Sequence, residues 1–209
     1  MTHKAITKVV CVGRNYAAHA KELGNEVPTT PVIFMKPPSA VVSFQSGIDT
    51  GRATQEGRLG ELHFECELCL QINKKISRVS PDEAADAIGA VTLGLDLTLR
   101  DLQSTLKSSG LPWERAKAFD GACVLGDWIK HSELPEAFEL WKNGQRLQQG
   151  LLSHMLFHPF ELIAEISQFL TLEPGDVIMT GTPEGVGPVA AGDVLSMRMA
   201  EHSFEVKVY

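Results

Sequence analysis

Residues 61–72 read ELHFECELCLQI, and they alternate with almost no error. Leu62, Phe64, Cys66, Leu68, Leu70 and Ile72 fall on one side of an extended chain, and His63, Glu65, Glu67, Cys69 and Gln71 on the other. The stretch is expected to form one strand, buried on its apolar side and presenting acids on the other. Carboxylates two residues apart on a strand share a face, with Cα atoms roughly 6.6 Å apart, so Glu65 and Glu67 can converge on one ion. Without a cation they repel, and one takes up a proton. The alternative is an ordinary solvated face, although this one is short of Lys and Arg partners.

A third acid, Asp96, ends the apolar stretch 90–96, which reads as a buried strand. It is either a further ligand or the N-cap of the helix expected over 98–107. Three carboxylates make an oxygen-only set, which suits Mg²⁺, Mn²⁺ or Ca²⁺ rather than zinc. Cys66 and Cys69 form a C-x-x-C, but residues three apart in a strand face opposite ways. The two thiols can neither pair nor share a metal, and Cys66 is assigned to the core.

The rest of the chain supplies strands with few helices. KVVCVG (8–13) reads as a short buried strand, and Asn15 is placed as the cap of a helix ending near Leu23 and Gly24. Residues 24–31 are rich in turn formers and are expected to form a mobile loop, with a strand at 32–36. Ser80-Pro81-Asp82-Glu83 combines an N-cap, a proline at the first helical position and a capping-box Glu, predicting a helix to about Gly89. Residues 138–148 read as a hairpin turning at Asn143-Gly144, and 159–170 as a helix burying Leu162, Ile163, Ile166 and Phe169. The last forty residues are strands punctuated by turns. Strands and helices that do not alternate strictly indicate an α+β fold with a large mixed sheet.

At 209 residues the chain suits one sizeable core, and 44% hydrophobic with 22% charged residues is the balance of a globular protein. A net charge of −7 argues against a nucleic-acid partner, which needs clustered Lys and Arg. It does not exclude an acidic substrate, because a metal and a few basic side chains invert the local field. No apolar run reaches the roughly 20 residues of a membrane span, and the first residues lack the features of a signal or transit peptide. Four scattered cysteines make no disulfide framework. A cytoplasmic protein with no membrane partner is expected.

Six segments in order, GRNYAAHAKE (13–22), FMKPPSA (34–40), LHFECEL (62–68), GLDLTLRDLQ (94–103), LPWERAKAFDGACVLG (111–126) and LEPGDVIMTGTPEGVGP (172–188), resemble the signatures of the fumarylacetoacetate hydrolase family. The motifs are expected to belong to a member without the large N-terminal extension of the fumarylacetoacetate-cleaving enzymes. The chain is closer to the single-domain acylpyruvate hydrolase and oxaloacetate decarboxylase branch. The resemblance implies one catalytic domain over 1–209, folded as a mixed β-sheet roll of the fumarylacetoacetase C-terminal-domain type with a few peripheral helices. It also implies a homodimer, Mg²⁺ or Mn²⁺ as cofactor, and a small 2-oxo acid as substrate. On it Glu65, Glu67 and Asp96 fall on the metal ligands, His19 and Glu22 on a water-activating pair, and Lys117 on an active-site lysine. Arg100, Gln103 and Thr182 fall on substrate-contacting positions, and Arg14 and Lys36 join them as substrate-binding candidates.

The residues accommodate those roles. His19 and Glu22 are three apart on a predicted helix, and a carboxylate beside an imidazole raises its basicity. The alternative is an exposed surface pair. Lys117, between Trp113 and Phe119, either balances the acids or snorkels from a half-buried helix. Arg100 and Gln103 share a face after Asp96, where an ordinary polar face is the other reading. The 180–187 loop lacks the lysine of a phosphate-binding loop, yet its backbone N–H groups and Thr182 suit a carboxylate, unless it is a plain hairpin connection. The helix carrying His19, with the loop after it, is expected to close over substrate.

One chemistry follows from the implied centre: a chelated 2-oxo acid is stabilised as its enolate. Water activated by His19 and Glu22 would then cleave an acylpyruvate, and loss of CO₂ would give the same intermediate from oxaloacetate. Reprotonation would give tautomerisation or isomerisation of a 2-hydroxyhepta-2,4-diene-1,7-dioate type of diene. The complete His–Glu pair places acylpyruvate hydrolysis first, because decarboxylation requires no nucleophile. From a different class, a non-catalytic, metal-dependent dicarboxylate-binding protein fits the same acids, as does a structural acidic strand without metal.

Overall fold

The computed structural model describes residues 5–130 and 134–209. The first part of the chain forms β1 (Val9–Gly13), α1 (Ala17–Glu22), β2 (Val32–Lys36), β3 (Val41–Ser43), α2 (Thr50–Thr54) and β4 (Leu62–Phe64). The middle forms β5 (Cys66–Ile72), α3 (Pro81–Ala85), β6 (Ile88–Asp96), β7 (Thr98–Leu99), α4 (Arg100–Ser108), α5 (Glu114–Lys117), β8 (Cys123–Leu125) and β9 (Ile129–Lys130). The last part forms β10 (Ala137–Lys142), β11 (Gln145–Leu151), α6 (Pro159–Phe169), β12 (Val177–Met179), β13 (Gly187–Pro188), β14 (Val194–Met199) and β15 (His202–Lys207).

Eight strands form the main sheet, in the order β2-β1-β12-β5-β6-β8-β3 with β9 also on β6. It is mixed: β1 and β12 run parallel, as do β3 and β8, and the other pairs are antiparallel. Phe34 from one edge strand and Val41 from the other pack against one cluster of Val9, Cys11, Cys69, Cys123, Val177 and Met179. Within it the Cys123 sulfur of β8 lies 3.7 Å from the Met179 sulfur of β12, although β5 and β6 separate those strands, so the sheet curls towards closure. The fold is thus a mixed, curled sheet with few helices. A larger core on the other face takes Cys66, Leu68, Leu70 and Ile72. Cys66 and Cys69 accordingly lie in different cores, and all four cysteines are free and buried.

The alternating stretch departs from expectation in two respects. It is two strands, not one, because β4 pairs with β7 and β13 in a small sheet while β5 joins the main sheet. The change falls at Glu65, and its neighbour changes sheet at Leu97, so the acids Glu65 and Asp96 flank a crossover between sheets. The acid-bearing side is also not a solvated face: Glu65, Glu67 and Cys69 are buried beneath the curl of the sheet.

Several local expectations hold. Ser80 forms the full capping box with Glu83, and the Asn143-Gly144 hairpin turns between β10 and β11. Others shift for tertiary reasons. The helix after Ser80 stops at Ala85 because the chain enters β6 at Ile88. The helix expected from residue 98 begins at Arg100, since Thr98 and Leu99 are taken by pairing with β4, and Leu99 rather than Asp96 is its cap. Asn15 does not cap α1; its side chain is spent on Phe157 and Thr180. Phe169 is 58% exposed, because the last turn of α6 runs past the edge of the core that buries Leu162, Ile163 and Ile166.

Candidate active site

The sheet crossover brings the three acids together. One carboxylate oxygen from each of Glu65, Glu67 and Asp96 lies within 4.8 Å of the others, and all three side chains are buried. Lys117, at the end of α5, has a carboxylate or hydroxyl for each ammonium proton: Glu65 at 2.9 Å, Asp96 at 2.8 Å and Thr98 at 2.6 Å. Arg100, at the first turn of α4, pairs with the other Glu65 oxygen and donates to Gln103 at 2.7 Å. Glu67 accepts the Gly181 N–H at 2.7 Å.

These contacts divide the acids. Burial opposes charge on Glu65, but Lys117, Arg100 and His19 outweigh it and hold its carboxyl well below the usual range. Burial also opposes charge on Lys117, where Asp96 and then Glu65 reverse the effect and keep it an ammonium. Glu67 is different: burial, then the charges of Asp96 and Glu65, push it well above the usual range, against the pull of Gly181 and Lys117. The set therefore carries a repulsion that its cations do not relieve. Buried, converging, oxygen-only donors of this kind fit Mg²⁺ or Mn²⁺.

The His19 ring is buried on α1, and its Nδ1 lies 3.1 Å from Glu22. The other Glu22 oxygen accepts the Gly185 N–H at 2.9 Å, tying α1 to the 180–187 loop. That loop does present N–H groups to carboxylates, but they are the protein's own Glu67 and Glu22. Gly181 is required there: at φ 100° it is left-handed, and a Cβ would lie 2.7 Å from that of Asn15. Asn15 anchors the start of α1 by donating to Thr180 at 2.8 Å and Phe157 at 3.0 Å, and accepting from the Phe157 N–H.

A cavity of about 110 Å³ opens onto this assembly. Arg14, His19, Glu65, Glu67, Arg100, Gln103, Lys117 and Thr182 line it, between apolar walls from Val12, Leu23, Phe34 and Trp113. Lys36 and Glu22 do not; both act from behind it. Lys36 is buried, 2.7 Å from Asp96, and also donates to the Lys117 carbonyl. The Thr182 hydroxyl is committed to the Cys66 carbonyl and to Gln148, each at 2.8 Å. Gln148, invisible as a site residue in its hairpin strand, also accepts the Cys66 N–H at 3.0 Å and so braces β5 beside the acids. Asn25 and Lys107 line the cavity too, and nothing in their local sequence marks them.

The fumarylacetoacetate (FAA) hydrolase C-terminal family matches residues 8–206. The chain belongs to the fumarylacetoacetate hydrolase family. Oxaloacetate tautomerase YcgM of Escherichia coli (strain K12) is 40% identical over 208 residues, covering 97% of this chain and 93% of that one. The mitochondrial oxaloacetate tautomerase FAHD1 of Arabidopsis thaliana is 44% identical, covering 96% and 91%. Fumarylpyruvate hydrolase from Pseudomonas aeruginosa, solved in complex with Mn²⁺ and pyruvate, is 33% identical with a TM-score of 0.86, covering 97% and 88%. The chain is thus an enzyme of the fumarylacetoacetate hydrolase family whose relatives act on small organic acids. No helix among the described residues is long and apolar enough to cross a membrane.

Proposed function

We propose that the chain is a divalent-metal-dependent enzyme of enolisable 2-oxo acids, and that its reaction is the keto–enol tautomerisation of oxaloacetate. The observation that carries this reading is the buried Glu65, Glu67 and Asp96 cluster, whose two glutamates line the same cavity as the His19 ring. The tautomerase relatives favour oxaloacetate among the reactions such a centre serves. Mg²⁺ or Mn²⁺ held by the three acids would supply a Lewis acid that stabilises negative charge on the substrate's 2-oxo oxygen.

The remaining work falls to the chain's own groups. With Nδ1–H donated to Glu22, His19 keeps a lone pair on Nε2, which takes a proton from C3 of the keto acid. A proton delivered to the 2-oxo oxygen completes the enol, and the reverse transfer from that oxygen to C3 restores the keto acid. Glu22 fixes that tautomer and is itself fixed by Gly185. Lys117 has no proton free for transfer; it and Arg100 hold the carboxylates in place. The His19–Glu22 pair also favours a second reading, acylpyruvate hydrolysis. There His19 deprotonates a water that attacks the 4-carbonyl, and the C3–C4 bond breaks to give pyruvate and a carboxylic acid.

The test follows enol oxaloacetate by its ultraviolet absorbance. Ketonisation is expected to accelerate with enzyme and Mg²⁺ or Mn²⁺, and to lose that acceleration in chelator. Acceleration that survives chelation after dialysis overturns the metal centre. Pyruvate release from acetylpyruvate without faster ketonisation transfers the assignment to the hydrolase reading.

A further inference from the structure

Three of the cations near the site have carboxylate partners: Lys36 with Asp96, Lys117 with Glu65 and Asp96, and Arg100 with Glu65. Two others lining the same cavity do not. Among the described residues, neither Arg14 nor Lys107 has a carboxylate within ion-pairing distance. Lys107 instead donates to the side-chain carbonyl of Asn25, which arrives from the segment after α1 and also lines the cavity. Burial and the nearby positive charge of Arg14 both disfavour the Lys107 ammonium, so the two cations sit close enough to repel.

Arg14 is also held in a left-handed backbone conformation, at φ 59°. A residue with a Cβ rarely adopts it, and it persists only where the surroundings impose it. Here the Asn15 anchors on Thr180 and Phe157 impose it from the next position. Along α4, Arg100, Gln103 and Lys107 follow at three- and four-residue steps and share one face towards the cavity. Arg100 serves the acids at one end of this face, and Lys107 lies ~10 Å further along the helix axis. A flexible lysine stem can reach back along part of that gap towards a short diacid.

We propose that Arg14 and Lys107, with Asn25 steadying the lysine, bind the second carboxylate of the substrate and make the site selective for 2-oxo diacids. The inference rests on the reading of Glu65, Glu67 and Asp96 as the centre that takes the 2-oxo acid end. It separates oxaloacetate from 2-oxo acids with a neutral tail, such as acetylpyruvate. A substrate carboxylate supplies the counter-charge that both cations lack.

The experiment compares the wild type with Lys107→Met and Lys107→Arg in the presence of Mn²⁺. Lys107 is exposed at the end of α4, so these variants keep the fold. Calorimetry measures binding of oxaloacetate and of oxalate, which offers the chelating end alone; kinetics measure KM for oxaloacetate and acetylpyruvate. Lys107→Met is expected to weaken oxaloacetate by about tenfold or more, the scale of one charge-assisted contact, and Lys107→Arg to restore most of it. Oxalate affinity and the KM for acetylpyruvate are expected to stay within about twofold of wild type, because a merely structural lysine would move all ligands together. Equal weakening of oxalate and oxaloacetate, or no weakening of oxaloacetate, overturns the proposal. If the wild type binds neither ligand with Mn²⁺, the underlying metal-centre reading fails instead.

Discussion

Lys36 Nζ lies 2.7 Å from Asp96 Oδ1, where neither side chain meets solvent. The lysine is in ion-pair contact without ideal hydrogen-bond alignment, and its remaining donor capacity goes to the backbone carbonyl of Lys117. One ammonium therefore holds both an acid of the centre and the main chain of the lysine that bridges two acids. Breaking one side of a buried pair costs about 3–5 kcal/mol when the other charge is left uncompensated. Lys117 still faces Asp96 at 2.8 Å, so a smaller loss of about 1–3 kcal/mol follows here. Lys36→Met is expected to lose stability on that scale in urea unfolding. Adding Asp96→Asn to it should recover part of the loss, and strictly additive losses would contradict the pairing.

Glu67 yields a prediction of opposite sign. It is buried beside two other acids, so Glu67→Gln removes a repulsion from the metal-free protein. In chelator this variant is expected to melt at or above the wild-type temperature. Adding Mn²⁺ should raise the melting temperature of the wild type and leave the variant unmoved. A variant that melts lower in chelator would mean that Glu67 stabilises the fold without an ion.

His19 should separate the reactions. His19→Ala removes the proposed proton-transfer group and is expected to slow tautomerisation and any acylpyruvate cleavage by roughly 10²–10⁴-fold. Mn²⁺ affinity should hardly change, since the ring is not among the proposed ligands Glu65, Glu67 and Asp96. Decarboxylation of oxaloacetate, which requires no base, should fall much less. Equal loss of all activities would remove His19 from proton transfer.

A pH effect is expected far from the site. Asp176 is buried, accepts from Thr7, the Lys8 N–H and the Glu173 N–H, and pairs with the Lys8 ammonium. Burial alone would raise its pKa, but the Lys8 and Thr7 contacts outweigh it and hold the carboxyl below its ordinary 3.8. A group depressed on folding stabilises above its unfolded pKa and loses that contribution as pH falls through the folded value. Asp176→Asn is expected to cost about 2 kcal/mol at pH 7. The gap from wild type should close only below about pH 4. A gap that closes near neutrality would contradict the assignment.

Gly185 tests the loop that holds Glu22 against His19. A side chain at its φ of 92° would drive into the backbone of Leu147, and the Gly185 N–H that steadies Glu22 would shift with it. Gly185→Ala is expected to cut kcat with little change in Mn²⁺ affinity, as measured by steady-state kinetics and calorimetry.

What could be read from the chain was whatever depends on near neighbours. The alternation of 62–72 placed Glu65 and Glu67 on one side, the Ser80 box marked α3, and Asn143-Gly144 marked the hairpin. The errors arose where a distant partner outbid a local one. Asn15 has the chemistry of a helix cap, yet its partners are more than 140 residues away. The strand looked continuous through Glu65 because alternation carries no record of which sheet each half joins. Lys36 read as a substrate contact, and only its depth in the fold places it behind Asp96. Gln148 looked like any polar residue of a hairpin, since the groups it braces belong to β5 and the 180–187 loop.

The change of sheet at Glu65 and Leu97 has a bearing on how this protein can diversify. Glu67 and Asp96 sit in strands and Glu65 at the junction of two, so displacing them would disturb two sheets at once and their arrangement is hard to alter piecemeal. Arg14, Asn25 and Lys107 hang on a turn, a connecting segment and the end of a short helix, where a replacement disturbs little around it. New appetites are expected to arise by redecorating that rim while the old hearth stays lit.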